Sequence, residues 1–383
     1  MKRSWFIAWR QLIKEKRRVA AAVAGITFAV LLMLVQLGFE QALFKSVRLL
    51  YEQFNAELFL VNPRYQNSQL TFNFSQRRLE QALAIDGVES VDPVYLQMLI
   101  WKNPVTQTKV QIFAIAIPPR TGILTIPEVD RHMAGLRVPD TVLYDGWSRN
   151  EFGPMANLLD RGPVKVEIDS VTTTTEGVFH MGTSMATNGN IVMSDETFQH
   201  LMPASDLRLP NVGLIKLAPG TDVLAVQSRL RNLLPDDVNV LTREQLMDVE
   251  TTYWATHTPI GFVFRMGLLM GLIVGSVVVY QILYNDVSQH LKEYATLKAM
   301  GYTDGFLFQV VLQEALILSI FGLIPGIILS QAVYSIAHWA TLLPLRMDPI
   351  RVLIVAVLTA GMCIFSGMLA TRRLRHADPA EIF

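Results

Sequence analysis

Four stretches of this 383-residue chain, Val19 to Phe39, Met266 to Tyr284, Ala315 to Trp339 and Val352 to Ala370, contain no Asp, Glu, Lys or Arg. Each is 19 residues or longer. At about 1.5 Å per helical residue, that length crosses a hydrocarbon core about 30 Å thick. The apolar surplus is concentrated there, yet it lowers the charged fraction of the whole chain to 17%, against about 25% in soluble domains. A wholly soluble enzyme is excluded. With 51% hydrophobic residues the chain is no disordered polymer. The balance of 33 basic against 33 acidic residues excludes a free nucleic-acid binder.

Charge sets the expected topology. Seven basic residues and one acid fall in the first 18 positions, and such an excess beside a first span holds the amino end in the cytoplasm. The first run is too long for the apolar region of a cleaved signal peptide, so it reads as a retained anchor. Arg372, Arg373 and Arg375 follow the fourth run and put the carboxyl end on the same side, as an even number of spans requires. The expected division is then a cytoplasmic interfacial helix at 1–18, with Trp5, Trp9, Leu12 and Ile13 at headgroup level, and spans at 19–39, 260–284, 306–339 and 352–370. A large outer domain occupies 40–259, an inner helix 285–305, an outer turn 340–351 and a cytoplasmic tail 371–383. The outer domain carries 18 basic and 25 acidic residues, which suits a solvated domain and not one held on anionic lipid. The single cysteine, Cys363, lies in the fourth run, so cysteine usage says nothing about the compartment of the outer domain.

Within 40–259 the periodicities predict two stalk helices, at 40–55 and 243–255. The first has Leu43, Val47, Leu50 and Phe54 on one stripe. The second opens on Thr242-Arg243-Glu244-Gln245, which has the form of a capping box, and carries Leu246, Val249 and Tyr253 on one face. Between them one pattern occurs twice: strand Glu57 to Val61, helix Gln76 to Ile85 and a strand from Val88; then strand Val212 to Leu217, helix Asp222 to Leu234 and strand Val238 to Leu241. Leu79, Ala82 and Leu83 are expected inward on the first helix, and Val223, Val226, Leu230 and Leu233 on the second. Two such units predict an α+β core split in sequence, at about 56–117 and 211–242, with a mostly β lobe inserted at about 118–210.

The usual chemistry-bearing motifs are missing. There is no Gly-Lys dipeptide, hence no phosphate-binding P-loop. The seven histidines are scattered without paired ligand spacing. Gly182-Thr183-Ser184-Met185-Ala186 is not a nucleophile elbow, and Asp236-Asp237 reads as a turn or cap. No catalytic centre, metal or cofactor is expected on this chain. Few ionisable groups interrupt the spans, Glu314 being the one acid at a span edge, where it either snorkels or bonds to the inner segment. Small residues do recur every fourth position: Ala21, Gly25 and Ala29 in the first span, Gly267, Gly271 and Gly275 in the second. They fit close helix packing, either within the chain or at a dimer seam.

The inner segment Gln289 to Tyr302 has one apolar face and ends at Gly301, a C-cap residue. It would either lie on lipid or dock in a groove of a cytoplasmic partner. Its run Lys292-Glu293-Tyr294-Ala295-Thr296-Leu297-Lys298-Ala299-Met300-Gly301-Tyr302 resembles the signature of the FtsX/MacB/LolC superfamily of ABC permeases, with Ala295 where the family has Gly and Tyr302 where it has a small residue. Gln313-Glu314-Ala315 followed by Gly322 and Gly326, the Arg372 to Ile382 tail with its Asp378-Pro379, and Ala8-Trp9-Arg10-Gln11-Leu12 are similar to other parts of the family pattern. The likeness covers the first 40 and last 125 residues, and among stand-alone permeases it is greatest to the DevC type of heterocyst glycolipid exporter.

The resemblance implies an α-helical membrane protein with four transmembrane helices and a MacB-like α+β periplasmic domain on stalks. It implies the permease subunit of an ATP-driven tripartite exporter, in the inner membrane with both termini cytoplasmic, moving a glycolipid or other amphipathic molecule by mechanotransmission. ATP and Mg would sit on a separate ABC ATPase, the permease itself being non-catalytic and a homodimer. A periplasmic adaptor would connect it to an outer-membrane channel. Leu291, Glu293, Tyr294, Ala295, Leu297, Met300 and Gly301 would form the coupling helix docked on the ATPase. The alternatives within the family are an FtsX-like regulator of a cell-wall hydrolase, whose outer domain is generally shorter, and MacB-like macrolide or peptide efflux.

Overall fold

The computed structural model describes residues 16–184, 186–290, 296, 300–341 and 345–375. Its first element, helix α1 (Lys16–Glu52), runs without a break from the basic amino end through the first apolar run and on into the stalk segment. Strand β1 (Leu58–Val61), helix α2 (Arg77–Leu83) and the long strand β2 (Val88–Lys102) follow. Next come β3 (Lys109–Ile117), the short helices α3 (Pro127–Arg131) and α4 (Met133–Leu136), β4 (Thr141–Asp145), α5 (Met155–Leu159), β5 (Val164–Ile168), β6 (Val171–Phe179), β7 (Asn190–Ser194) and α6 (Asp195–Leu201). The chain then returns through β8 (Val212–Leu217), α7 (Val223–Leu233), β9 (Asn239–Thr242) and α8 (Arg243–Thr252) to α9 (Pro259–Gln289), α10 (Asp304–Thr341) and α11 (Pro349–Arg375). Helices α1, α9, α10 and α11 are the four candidate membrane spans. The chain forms two compact units, one of Leu43–Thr258 and one made of the helices on either side of it in sequence.

In the α/β unit, β1-α2-β2 and β8-α7-β9 are the two strand–helix–strand repeats. Their strands lie in the order β2-β8-β1-β9, all antiparallel. This is a ferredoxin-like sheet, and the period-2 alternation of its strands decides what covers each face. Leu58 and Leu60 pack with Leu79 and Ala82 of α2 and with Val226 and Leu230 of α7. Phe59 and Val61 turn the other way, onto Tyr51 of α1, Phe54 just beyond it, and Leu246 and Met247 from α8. Asp222 caps α7 by accepting from the amides of Leu224 and Ala225, and Asp237 pairs with Arg78 at 2.8 Å. Leu83 and Leu233, expected inward, are exposed instead. In α7 the 3.6-residue period carries the apolar face from Leu230 to Leu234, which is buried, and α2 ends as Leu83 turns off its face.

The second lobe closes on itself. Pairings β3–β7, β7–β4, β4–β6, β6–β5, β5–β2 and β2–β3 form a ring of six strands. Two of these pairings, β3–β7 and β4–β6, are parallel and the rest antiparallel. The ring takes in Tyr95–Lys102 and β3, which the sequence reading assigns to the core, because β2 is long enough at 15 residues to serve both sheets. Along β3, Ile112, Ala114 and Ala116 join one buried cluster and Phe113, Ile115 and Ile117 the other. Both faces of that strand are covered, so its sequence runs apolar without alternation.

The helical unit is packed through its small residues. A Cβ at Gly275 would lie 2.7 Å from both Ala29 Cβ and Met362 Sδ, and one at Gly267 would meet the Gln36 side chain at 2.3 Å. Gly271 faces Met33 and Leu32, and Gly25 faces Val278. The stripes of α1 and α9 therefore meet each other within the chain, as close backbone approach requires; Ala21 alone of the six is exposed. Gly322 and Gly326 of α10 abut Ile26 and Val30, and Thr27 Oγ1 donates to Gly322 O at 3.1 Å. Ser366 of α11 donates to Ser276 O of α9 at 2.8 Å. Glu314 is buried in this unit, 2% exposed. Replacing Gly275 by Leu forces α9 away from Ala29 and Met362. The expected loss is about 1–3 kcal/mol, read as a lower thermal unfolding midpoint of the purified chain in detergent, whereas Ala21→Leu leaves the midpoint unchanged.

Candidate functional site

The place where the chain re-emerges from the α/β unit is built outward from Thr242. Its hydroxyl accepts from the Gln245 amide at 3.3 Å, and the Gln245 side chain accepts from the Thr242 amide at 3.1 Å, completing the capping box. Gln245 Oε1 also accepts from Gln227 of α7 at 2.7 Å. Arg243 donates to the carbonyls of Phe54 and Ala56 at 2.9 and 2.7 Å, and Arg48 donates to Glu244 at 2.6 Å. The first turn of α8 is thus tied at once to α7, to β9 and to the end of α1.

Two turns on, Glu250 is fully buried. Its Oε2 accepts from Tyr51 Oη at 2.8 Å, from the Ser68 amide at 2.9 Å and from Tyr65 Oη at 3.4 Å. Oε1 accepts from Ser68 Oγ and from Trp254 Nε1, both at 3.2 Å, and the Tyr51 and Tyr65 hydroxyls bond each other. One carboxyl group thereby joins α1, the 62–73 loop, α8 and the turn after it. Burial raises the Glu250 carboxyl above its ordinary range despite these donors. The Tyr65 phenol is raised as well, by burial and then by the adjacent carboxylate.

After Thr252 the helix loosens into one π turn, Tyr253–His257, and Thr258 is extended at φ −118° and ψ 155°, the conformation a following proline imposes. The second stalk is therefore broken from α9 at Thr258-Pro259, whereas the first is continuous with α1. Alongside the turn lies an open cleft of about 420 Å³, lined by Tyr65, Gln66, Gln245, Asp248, Val249, Thr252, Tyr253 and His257. The Tyr253 and His257 rings stack with centroids 5.6 Å apart and planes 6° from parallel.

A second buried carboxylate, Asp145, organises the loop after β6. It accepts from the amides of Trp147, Met181 and Gly182 at 3.0, 3.2 and 2.9 Å and from Asn190 Nδ2 at 2.8 Å. Ser184 accepts from the amides of Ala186 and Thr187 at 3.0 Å, so its hydroxyl holds a turn. Among the described residues no group of three His, Cys, Asp or Glu side chains is placed to hold a metal ion.

Of the expected coupling helix, Leu291, Glu293, Tyr294, Ala295 and Leu297 lie outside the described residues. Met300 is exposed, and Gly301 has φ +95° with open space around it, the left-handed C-cap geometry that glycine adopts without strain. The six small residues lie in the α1–α9 region as described above. The Glu250 cluster was not foreseen. Its only sequence signal is one acid on the inward face of an amphipathic helix, with Tyr51 and Tyr65 too far away in sequence to be read as partners.

Residues 265–379 match the family model of the FtsX-like permease C-terminal domain. The matched stretch begins within α9 and takes in α10 and α11. No curated protein sequence matches the chain. Among solved structures, the periplasmic region of MacB from Actinobacillus actinomycetemcomitans is 12% identical with a TM-score of 0.37, covering 51% of this chain and 93% of that one. The extracellular domain of the noncanonic ABC-type transporter YknZ from Gram-positive bacteria is 11% identical with a TM-score of 0.35, covering 49% and 99%.

Removing the carboxyl group in a Glu250→Ala variant leaves the Ser68 and Trp254 donors unpaired and the two phenols with only each other as partners. The expected loss is about 3 kcal/mol of stability, with about 1 kcal/mol for Glu250→Gln, which keeps an acceptor. A carboxyl whose pKa is raised on folding stabilises the fold below its ordinary value of 4.5, and that contribution is lost as pH climbs through the folded value. Unfolding midpoints of the wild type and Glu250→Gln should therefore converge as pH rises from 4.5.

Proposed function

We propose that this chain is the permease subunit of an ATP-driven exporter of the mechanotransmission type, in which motion generated by a separate ATPase is passed to the α/β unit. The observation that carries the reading is the pair of connections into that unit. α1 is one helix from Lys16 to Glu52, and the carboxyl of Glu250 bonds its Tyr51 to the helix that leads back toward α9. A displacement of the first span along its axis would be delivered to the α/β unit through unbroken helical hydrogen bonds. The permease-domain match over residues 265–379 supports the same reading.

On this reading the protein sits in the inner membrane with both termini cytoplasmic and works as a homodimer. Leu291, Glu293, Tyr294, Ala295, Leu297, Met300 and Gly301 dock on the ATPase. The α/β unit is periplasmic and engages an adaptor leading to an outer-membrane channel, and the cargo is a glycolipid or another amphipathic molecule. ATP and Mg act on the partner, with no chemistry on this chain.

Gentle detergent extraction followed by mass spectrometry is expected to recover an ABC ATPase at one copy per permease together with an adaptor. Recovery of a wall hydrolase in place of the adaptor would move the assignment to an FtsX-like regulator. In the reconstituted complex, Leu297→Glu should abolish permease-stimulated ATP turnover while leaving the permease folded; turnover unchanged from wild type would overturn the docking assignment.

A further inference from the structure

We infer that the cleft beside the π turn receives the guanidinium of an arginine side chain presented by a partner polypeptide. The cleft is built on one face of α8, where Gln245, Asp248, Val249 and Thr252 stand at the i, i+3, i+4 and i+7 positions. Tyr65 and Gln66 reach it from the 62–73 loop, and the stacked rings of Tyr253 and His257 complete the lining. Every lining residue belongs to the α/β unit.

The charge of the cleft follows from which groups around α8 are already paired. Arg243 is held by the carbonyls of Phe54 and Ala56, Arg48 by Glu244, and Arg231 by the carbonyl of Val240. No Lys or Arg lines the cleft, and Asp248 is its one acid. Among the described residues that carboxylate has no ion-pair or hydrogen-bond partner. A lone carboxylate with no competing cation selects a positively charged guest. The surrounding segment 40–259, with 18 basic and 25 acidic residues, attracts the same sign from a distance.

The shape selects among cations. The Tyr253 and His257 planes lie 6° from parallel, a flat aromatic surface on which a planar guanidinium stacks, whereas a lysine ammonium is a compact point charge without a face. The guanidinium edge also matches a carboxylate such as that of Asp248 with two parallel N–H bonds. The open volume of about 420 Å³ is more than one side chain fills, so a free small cation would remain largely in water. The Gln66 amide and the Thr252 hydroxyl can pair with the backbone on either side of a bound arginine. Tyr65 lines the cleft while its hydroxyl bonds Glu250, so an occupant touches a member of the cluster that joins α1 to α8.

The polypeptide source rests on the reading that the α/β unit engages a partner protein. The test needs neither ATPase nor export, so its failure is distinguishable from failure of the exporter proposal. The full-length chain in nonionic detergent is titrated, with binding read by saturation-transfer NMR, against capped Ala-Arg-Ala, the matching lysine and citrulline peptides, and agmatine. The arginine peptide should bind at least about tenfold tighter than the other three. Asp248→Asn should weaken it about tenfold and His257→Ala about threefold. Both positions are exposed, so the unfolding midpoint should not move. Leu224→Ala, an exposed substitution on α7, should change nothing. Equal binding of the citrulline or lysine peptide would overturn the guanidinium assignment, and agmatine binding as tightly as the peptide would overturn the polypeptide source. Affinity unaltered in both variants, or no binding at all, would overturn the site itself. Should either variant lose stability, the other together with Thr252→Val, which should also weaken binding, reads the same contact independently.

Discussion

A carboxyl group taken out of water costs several kcal/mol unless its lone pairs are filled, and the α/β unit is arranged around filling those of Glu250. Two phenols, a serine amide, a serine hydroxyl and an indole are brought to it, on α8, from three separate segments. None of these segments is adjacent to another in sequence except α8 and the turn after it. The cluster can form only when the end of α1, the 62–73 loop and α8 are all in place, so a single acid enforces a three-way junction. Apolar packing alone would tolerate small shifts of the same helices, because dispersion contacts are individually weak and non-directional. The hydrogen-bonded carboxyl fixes their register instead.

The helical unit holds together by a different principle. Lipid chains are as apolar as the side chains, so burial supplies no preference for one helix neighbour over another. What selects the neighbour is how closely backbones can approach. Gly275, Gly322 and Gly326 bring α9 and α10 against α1 at places where a methyl group would collide with Ala29, Ile26 or Val30. Backbone-directed bonds from Thr27 and Ser366 supply polar pins at the same contacts. The small-residue stripes that mark α1 and α9 in the sequence thus have a use inside one chain.

Much of this was legible in the residues. The four uncharged runs, the capping box at Thr242, the twice-repeated strand–helix–strand unit and the strand Val164–Ile168 all depend on local periodicity and local hydrogen bonds, which sequence carries directly. The six-stranded ring was less so. Its closing pairs, such as β3 with β7, join residues about 80 positions apart, and a strand covered on both faces loses the alternation that would announce it. The two organising carboxylates, Glu250 and Asp145, were hidden for a related reason. An acid is expected to face solvent, and nothing in its own neighbourhood shows that distant phenols or amides will be waiting for it. The break at Thr258-Pro259 was readable in principle, since a proline restricts the residue before it, but the continuing apolar pattern on either side masked it.

The sheet architecture also limits how anything can attach to the α/β unit. Each strand of the ring has a partner on both sides, whereas the ferredoxin-like sheet ends in open borders at β9 and at the first half of β2. β9 is four residues long and passes straight into α8. The first half of β2 carries a register shift between Val88 and Ser90, a proline at position 93, and Asp92 paired with Arg120. Short length, irregular register, proline and charge are the features that keep natural strand edges from templating another strand. Main-chain strand addition is accordingly disfavoured at both of these borders.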